Sequence, residues 1–186
     1  MRRATAILAL LFAVSFISFA QNEPKQPKQY AGQEQREVKA LSPEEVQSLL
    51  GGQGMGMAKA AELNHYPGPK HVLELAVKLD LSDAQVAETR KIFEKMHAEA
   101  VRLGALIVGK ERELDALFAK NEINRGKLES VSREIGLLQG SLRAAHLRAH
   151  LEMKSLLTPL QVKKYDALRG YDAGGGAHEH HAHGEH

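Results

Sequence analysis

Residues 82–119 read SDAQVAETRKIFEKMHAEAVRLGALIVGKERELDALFA, and the punctuation of that stretch decides the fold. Ser82 can cap a helix while Gln85 reaches back to it, which is a capping box. Downstream, Val86, Phe93, Met96, Ala100, Leu103, Ile107, Leu114 and Leu117 fall on a 3-4-3-4 spacing, with Thr89 and Lys110 as interruptions. That spacing is an a/d seam sustained for several heptads. Lys120-Asn121-Glu122-Ile123-Asn124 breaks it, and Asn124 can cap a second helix. The seam resumes as Leu128, Val131, Ile135, Leu138, Leu142, Ala145, Ala149 and Leu156. Two long helices joined by a few residues fold back antiparallel so that their seams bury one another. At about 1.5 Å per residue, helices of about 35 residues approach 50 Å in length. A lone hairpin of that size has one narrow seam. Short flanking helices or a second copy must cover the rest, so a homodimer is expected. The predicted class is all-α, a long antiparallel helical hairpin with short flanking helices.

The flanks carry the same punctuation. Thr158-Pro159-Leu160-Gln161 caps a final short helix that runs to about Arg169 and closes at Gly170. On the other side, His71–Leu79 predicts a short helix preceded by the turn Asn64-His65-Tyr66-Pro67-Gly68-Pro69. Ser42, Pro43 and Glu45 start another, which Gly51-Gly52 ends, and Met57–Leu63 is a second short apolar stretch. The expected organisation is a leader over 21–69, disordered but with short helical segments, then the hairpin domain over 70–170. A flexible Gly/His-rich tail over 171–186 completes it. Residues 1–20 read as a cleavable signal peptide. Met1-Arg2-Arg3 is cationic, Ala4–Ala20 is uncharged and mostly apolar, and Ser18 and Ala20 place a cut before Gln21. The mature chain is therefore expected in the periplasm, without stable membrane insertion after cleavage.

The 186-residue chain has 25 Lys and Arg against 23 Asp and Glu, a formal charge of +2. Removing Arg2 and Arg3 with the signal peptide leaves a balanced chain, which argues against nucleic acid as a partner. With no Trp, and three of its five Phe in the signal segment, the chain also lacks a base-stacking platform. The absence of cysteine excludes disulfides, thiolate nucleophiles, Cys-ligated zinc and iron–sulfur clusters. There is no Ser/His/Asp order, phosphate loop or set of paired carboxylates, so no enzyme is expected.

Leu81-Ser82-Asp83-Ala84-Gln85 and Leu157-Thr158-Pro159-Leu160-Gln161 resemble the paired LTxxQ motifs of the Spy/CpxP superfamily of small periplasmic helical proteins. The resemblance covers roughly residues 70–170, and Ser82 keeps the hydroxyl that a cap needs. It implies an all-helical, dimeric, non-enzymatic envelope protein, nearest to the CnrX/ZraP-like heavy-metal sensor and resistance members. It also brings the superfamily's other activity, that of an ATP-independent stress chaperone.

Histidine is the unusual residue: there are ten, five of them between His178 and His186. His146 and His150, at i and i+4, share one helix face about a metal's width apart. Met153, one turn on, is a candidate thioether ligand. The metal-linked members of the superfamily are similar in using side chains one turn apart, but here His stands at i+4 where Met is expected. If the hairpin turn is centred near residue 122, His97 faces the level of Leu147, and Glu94 that of His150. Glu94, His97, His146 and His150 then converge as a site suited to Zn, Ni, Co or Cu. His178, His180, His181, His183 and His186 follow Gly174-Gly175-Gly176 and form a second set of candidate ligands. They suit a metal-scavenging or loading arm, because neutral imidazoles bind such ions and release them on protonation. His65 and His71 flank the turn and could join if it folds against the hairpin, though packing or capping roles suit them better.

The function expected is periplasmic metal binding, as a heavy-metal sensor, buffer or resistance accessory, with a membrane signalling partner as one possibility. The alternative is a holdase for unfolded client proteins, using Arg90, Arg102, Arg112, Arg133, Arg143 and Arg148 with interspersed Leu. The histidine content favours metal. The interior glycines are expected to serve close helix approach or bending, with Gly104 opposite Gly140 and Gly109 near Gly136.

Overall fold

Three capping boxes set three of the helix starts. Ser42, Ser82 and Thr158 each accept from the backbone N–H three residues on, and Glu45, Gln85 and Gln161 accept from the cap's own N–H. The computed structural model describes residues 30–171, and residues 33–171 lie in one compact unit. Six helices follow in order: α1 Pro43–Leu50, α2 Lys59–Glu62, α3 Pro69–Glu74, α4 Asp83–Ala119, α5 Arg125–Leu156 and α6 Pro159–Arg169. Among the described residues there is no strand, and no helix is long and apolar enough to cross a membrane. The class is all-α. Residues 1–20, expected to be a signal peptide, and the histidines from 178 to 186 lie outside the described residues.

The 37-residue α4 and the 32-residue α5 form the antiparallel pair. Asn124 caps α5 through its side chain, which accepts from Lys127 N–H at 3.0 Å. Cross-helix ion pairs mark the register, with Lys110 at 2.7 Å from Glu134 and Lys95 at 3.4 Å from Glu152. Gly170 ends α6 in the left-handed conformation at φ 75°. The short helix expected over 71–79 is α3 and stops at Glu74. The chain then turns through Asp80 at φ 51° to reach Ser82.

The core divides in two along the hairpin. Midway, Val38 and Leu49 join Ala100, Leu103, Ile107, Val108, Leu142 and Ala145. At the base, Val72, Leu79, Ile92, Ala149, Met153, Leu157, Val162 and Tyr165 pack together. Residues from the stretch expected to lead into the hairpin thus supply part of its core.

The seam is wider than expected and shifted at one end. Thr89, read as an interruption, is wholly buried, and its hydroxyl donates to the Gln85 carbonyl at 2.7 Å. Ile92 is buried where Phe93 was expected, while Phe93 is half-buried and stacks on His97. Burial of Gly104, Val108, His146, His150 and Met153 adds a second stripe, which meets α1 to α3 and α6.

The glycine expectation is corrected. Gly104 does allow a close approach, but by α1: a Cβ there would lie 2.0 Å from the Leu49 carbonyl oxygen. Gly109, Gly136 and Gly140 are exposed, with nothing within 4 Å of an added Cβ.

Candidate metal centre

His146 and His150 lie on the side of α5 that turns from solvent, at 4% and 7% exposure. The stretch between α1 and α3 reaches them because it is rich in glycine and proline, which tolerate tight turns and close contact. Gly52, at φ 61°, packs on His97, and a Cβ there would lie 3.0 Å from His97 Nδ1. Gly68 packs on His150, where a Cβ would fall 2.9 Å from Cε1. Pro67, Gly68 and Pro69 are buried, so the turn does fold against the hairpin.

Three imidazoles come together here. Burial, followed by the neighbouring His150 and His97, holds the His146 imidazole below the ordinary histidine range. His146 is thus neutral at pH 7, and its buried Nε2 has no hydrogen-bond partner. His150 Nδ1 lies 2.7 Å from the Tyr66 carbonyl oxygen and 3.7 Å from Glu62 Oε2. A carbonyl only accepts, so Nδ1 carries the proton and Nε2 the lone pair. An imidazole oriented through one nitrogen and free at the other is the usual arrangement of a metal ligand.

Not every expected member takes part. Glu94 is exposed on α4 and makes no hydrogen bond or ion pair with these imidazoles. Met153 is fully buried in the basal apolar cluster beside Tyr165, so its thioether serves as packing there. His178, His180, His181, His183 and His186 lie outside the described residues. Among the described residues, no three of His, Asp and Glu are disposed to hold one ion. His146 Nε2, buried and partnerless, and His150, oriented by the Tyr66 carbonyl, have His97 as their neighbour.

No family model, curated protein or solved structure matches the chain.

Sequence reasoning missed the carboxylate beside this cluster. Glu62 Oε1 accepts from Tyr165 Oη at 2.5 Å and Tyr171 Oη at 3.1 Å, with Arg169 Nε at 3.4 Å. Burial and the Glu62 hydrogen bond push the Tyr165 phenol well above its ordinary range. Tyr165 Oη lies 3.4 Å from Gly68 N and accepts from it, linking α6 to the turn. Nothing in the sequence near Glu62 announced this role, since its partners lie about a hundred residues away. The two flanking histidines are also tied to oxygen: His65 Nδ1 lies 2.9 Å from Asp166 Oδ2, and His71 Nδ1 2.9 Å from Glu74 Oε2.

Proposed function

We propose that this is an exported periplasmic metal-binding protein, acting as a heavy-metal sensor, buffer or resistance accessory of the Spy/CpxP-like kind. His146 and His150 hold a Zn, Ni, Co or Cu ion with His97 beside them, and the C-terminal histidines form a second binding segment. The protein works as a homodimer, and the ion rather than a chemical step is its business. One observation carries the reading: a buried, neutral imidazole nitrogen on His146 has no partner, next to two further imidazoles. A buried polar atom left unpaired costs about 1–3 kcal/mol, and a bound cation would remove that cost. Neutral imidazoles also match the borderline metals in ligand character.

Metal titration tests it, using the mature chain with its five tail histidines replaced by alanine. One ion is expected to bind, and the joint substitution His146→Ala and His150→Ala should abolish it. Unchanged stoichiometry and affinity in the doubly substituted chain would overturn the hairpin centre.

A second reading rests on exposed apolar side chains. Leu137 and Leu151 are 65% and 55% exposed on α5, among the exposed Arg133, Arg143 and Arg148. An amphipathic face of that composition suits a holdase for unfolded clients. Suppression of aggregation that ignores both chelator and removal of the tail histidines would favour this alternative.

A further inference from the structure

Leu137, Gly140, Ala144, Leu147 and Leu151 repeat at 3-4-3-4 spacing along α5 and form a second seam, apart from the one that meets α4. At about 3.6 residues per turn this line lies opposite Leu142, Ala149 and Met153, which face the core. Leu137 and Leu151 are exposed, while Ala144 and Leu147 are half-buried. Gly140 is exposed too, with nothing within 4 Å of an added Cβ. Interior glycine weakens a helix, and Gly140 makes no close contact inside this chain to offset that. Together with Ala144 it leaves a hollow between the leucines at the two ends of the stripe. The stripe runs for about 21 Å, the length of a helix of about four turns. Such spacing with small residues at its middle suits a docked helix, since small side chains let two helix axes approach.

The charges along this face point to the occupant. α5 has three acids, and each is bound to a cation of this chain: Glu129 to Arg125 at 2.8 Å, Glu134 to Lys110 at 2.7 Å and Glu152 to Lys95 at 3.4 Å. Lys127 and Lys154 are committed to the Glu122 and His65 carbonyls. Arg133, Arg143 and Arg148 remain, all exposed and with no ion-pair partner among the described residues. Arg148 feels the Glu99 carboxylate, but both Glu99 oxygens are bound to Arg102, at 2.8 and 2.9 Å. Arg143 and Arg148 bracket the stripe on its two sides, and Arg133 continues its line towards the hairpin turn. An apolar seam edged by unpaired cations is complementary to an amphipathic helix edged by carboxylates.

We propose that the outer face of α5 is a docking site for an acidic amphipathic α-helix of another protein. The partner's apolar residues fill the hollow over Gly140 and Ala144, and its Asp or Glu side chains pair with Arg133, Arg143 and Arg148. A second copy of this chain fits the same face poorly. Antiparallel pairing about Ala144 would set Arg143 against its own counterpart, and parallel pairing would set Arg143 against Arg148. The homodimer proposed above therefore uses another face. An anionic bilayer would match the arginines but gains nothing from the central hollow, where bulky apolar residues would serve it better. The site uses none of the imidazoles, so it stands or falls apart from metal binding. It also differs from a holdase, which would take unfolded chain at the same side chains.

Fluorescence anisotropy of the chelator-treated mature chain tests it with two labelled peptides. Both span three heptads with Leu at a and d; one carries Glu at e and g, the other Lys. The Glu peptide should bind with micromolar affinity, and the Lys peptide at least about tenfold more weakly. Arg143→Glu with Arg148→Glu should reverse that preference, a gain of binding that a misfolded chain could not show. Gly140→Leu fills the hollow and should weaken the Glu peptide by about tenfold or more, whereas Arg90→Glu, exposed on α4, should leave it unchanged. Equal binding of the two peptides, a preference that the double charge reversal does not invert, or parent-like binding by Gly140→Leu would each overturn the proposal. Sedimentation reads the second copy: self-association lost on Leu137→Ser and Leu151→Ser would reassign the face to a homodimer. Tighter binding of a reduced and alkylated unfolded protein, lost with the same two substitutions, would reassign it to a holdase. The same result with phosphatidylglycerol vesicles would reassign it to a membrane surface.

Discussion

Gln85 and Gln161 exchange side-chain amide hydrogen bonds, Gln85 Nε2 to Gln161 Oε1 at 2.9 Å and Gln161 Nε2 to Gln85 Oε1 at 3.0 Å. Each carbonyl oxygen also accepts from its own helix cap, Ser82 N–H at 3.1 Å and Thr158 N–H at 3.0 Å. The spare amide protons point to the Leu156 and Leu79 carbonyls at 3.3 and 3.4 Å. The two capping boxes are therefore one closed network that joins the start of α4 to the start of α6. Gln85→Ala and Gln161→Ala should each destabilise by about 1–2 kcal/mol. The double substitution should cost less than their sum, by about 1 kcal/mol, because the second change breaks a pair already lost. Urea unfolding of the four chains measures this, and strict additivity would show that the amide pair adds nothing to the caps.

Four of the glycines in α4 and α5 divide into one that is needed and three that are not. Gly104→Ala would drive a Cβ into the Leu49 backbone, which cannot yield as a side-chain tip can. It should destabilise by about 2 kcal/mol or more and lift α1 from α4. Gly109→Ala, Gly136→Ala and Gly140→Ala meet open space and should each stabilise by about 0.5–1 kcal/mol. Thermal unfolding followed by circular dichroism separates the two outcomes by sign.

Glu62 gathers two phenols, a guanidinium and an imidazole around one carboxylate. Glu62→Ala leaves the buried Tyr165 hydroxyl without its acceptor, and a loss of about 2–3 kcal/mol is expected. Glu62→Gln keeps a carbonyl oxygen for Tyr165 and should lose less. Equal losses in the two variants, measured by urea unfolding, would mean that the hydroxyl is not the group that matters.

His146 makes metal-free stability depend on pH. Its folded pKa is depressed by burial and by His150 and His97, so the unfolded chain binds its proton first on acidification. Its contribution is complete above the ordinary histidine value and is lost as pH falls through the folded value. The urea midpoint of the chelator-treated protein should therefore drop as the pH falls below the ordinary histidine range. His146→Leu should flatten that decline, and an unchanged slope would assign it to other groups.

Much of the fold was legible in local chemistry. The three capping boxes, the Asn124 cap, the Gly170 stop and most seam positions depend on residues within a turn or two of one another. Local spacing carries that information in full. The second buried stripe was not legible, because Gly104, Val108 and His150 are buried by α1 and the turn before α3. Whether those segments dock depends on contacts across some fifty to eighty residues. Phe93 and Ile92 exchange roles for the same reason, since packing in three dimensions sets the phase of the seam.

The site divides along the same line. The i, i+4 spacing of His146 and His150 is a property of the sequence, because an α-helix fixes which residues share a face. The sequence also determined that borderline-metal ligands here must be imidazole, carboxylate or thioether, since it contains no cysteine. Only the tertiary structure decided which of these meet. It brought His97 to the pair, left Glu94 in solvent, spent Met153 on packing and put Asp166 behind His65. Those choices follow from how α1 to α3 and α6 close over the hairpin, where burial and hydrogen-bond satisfaction are shared among segments far apart in the chain.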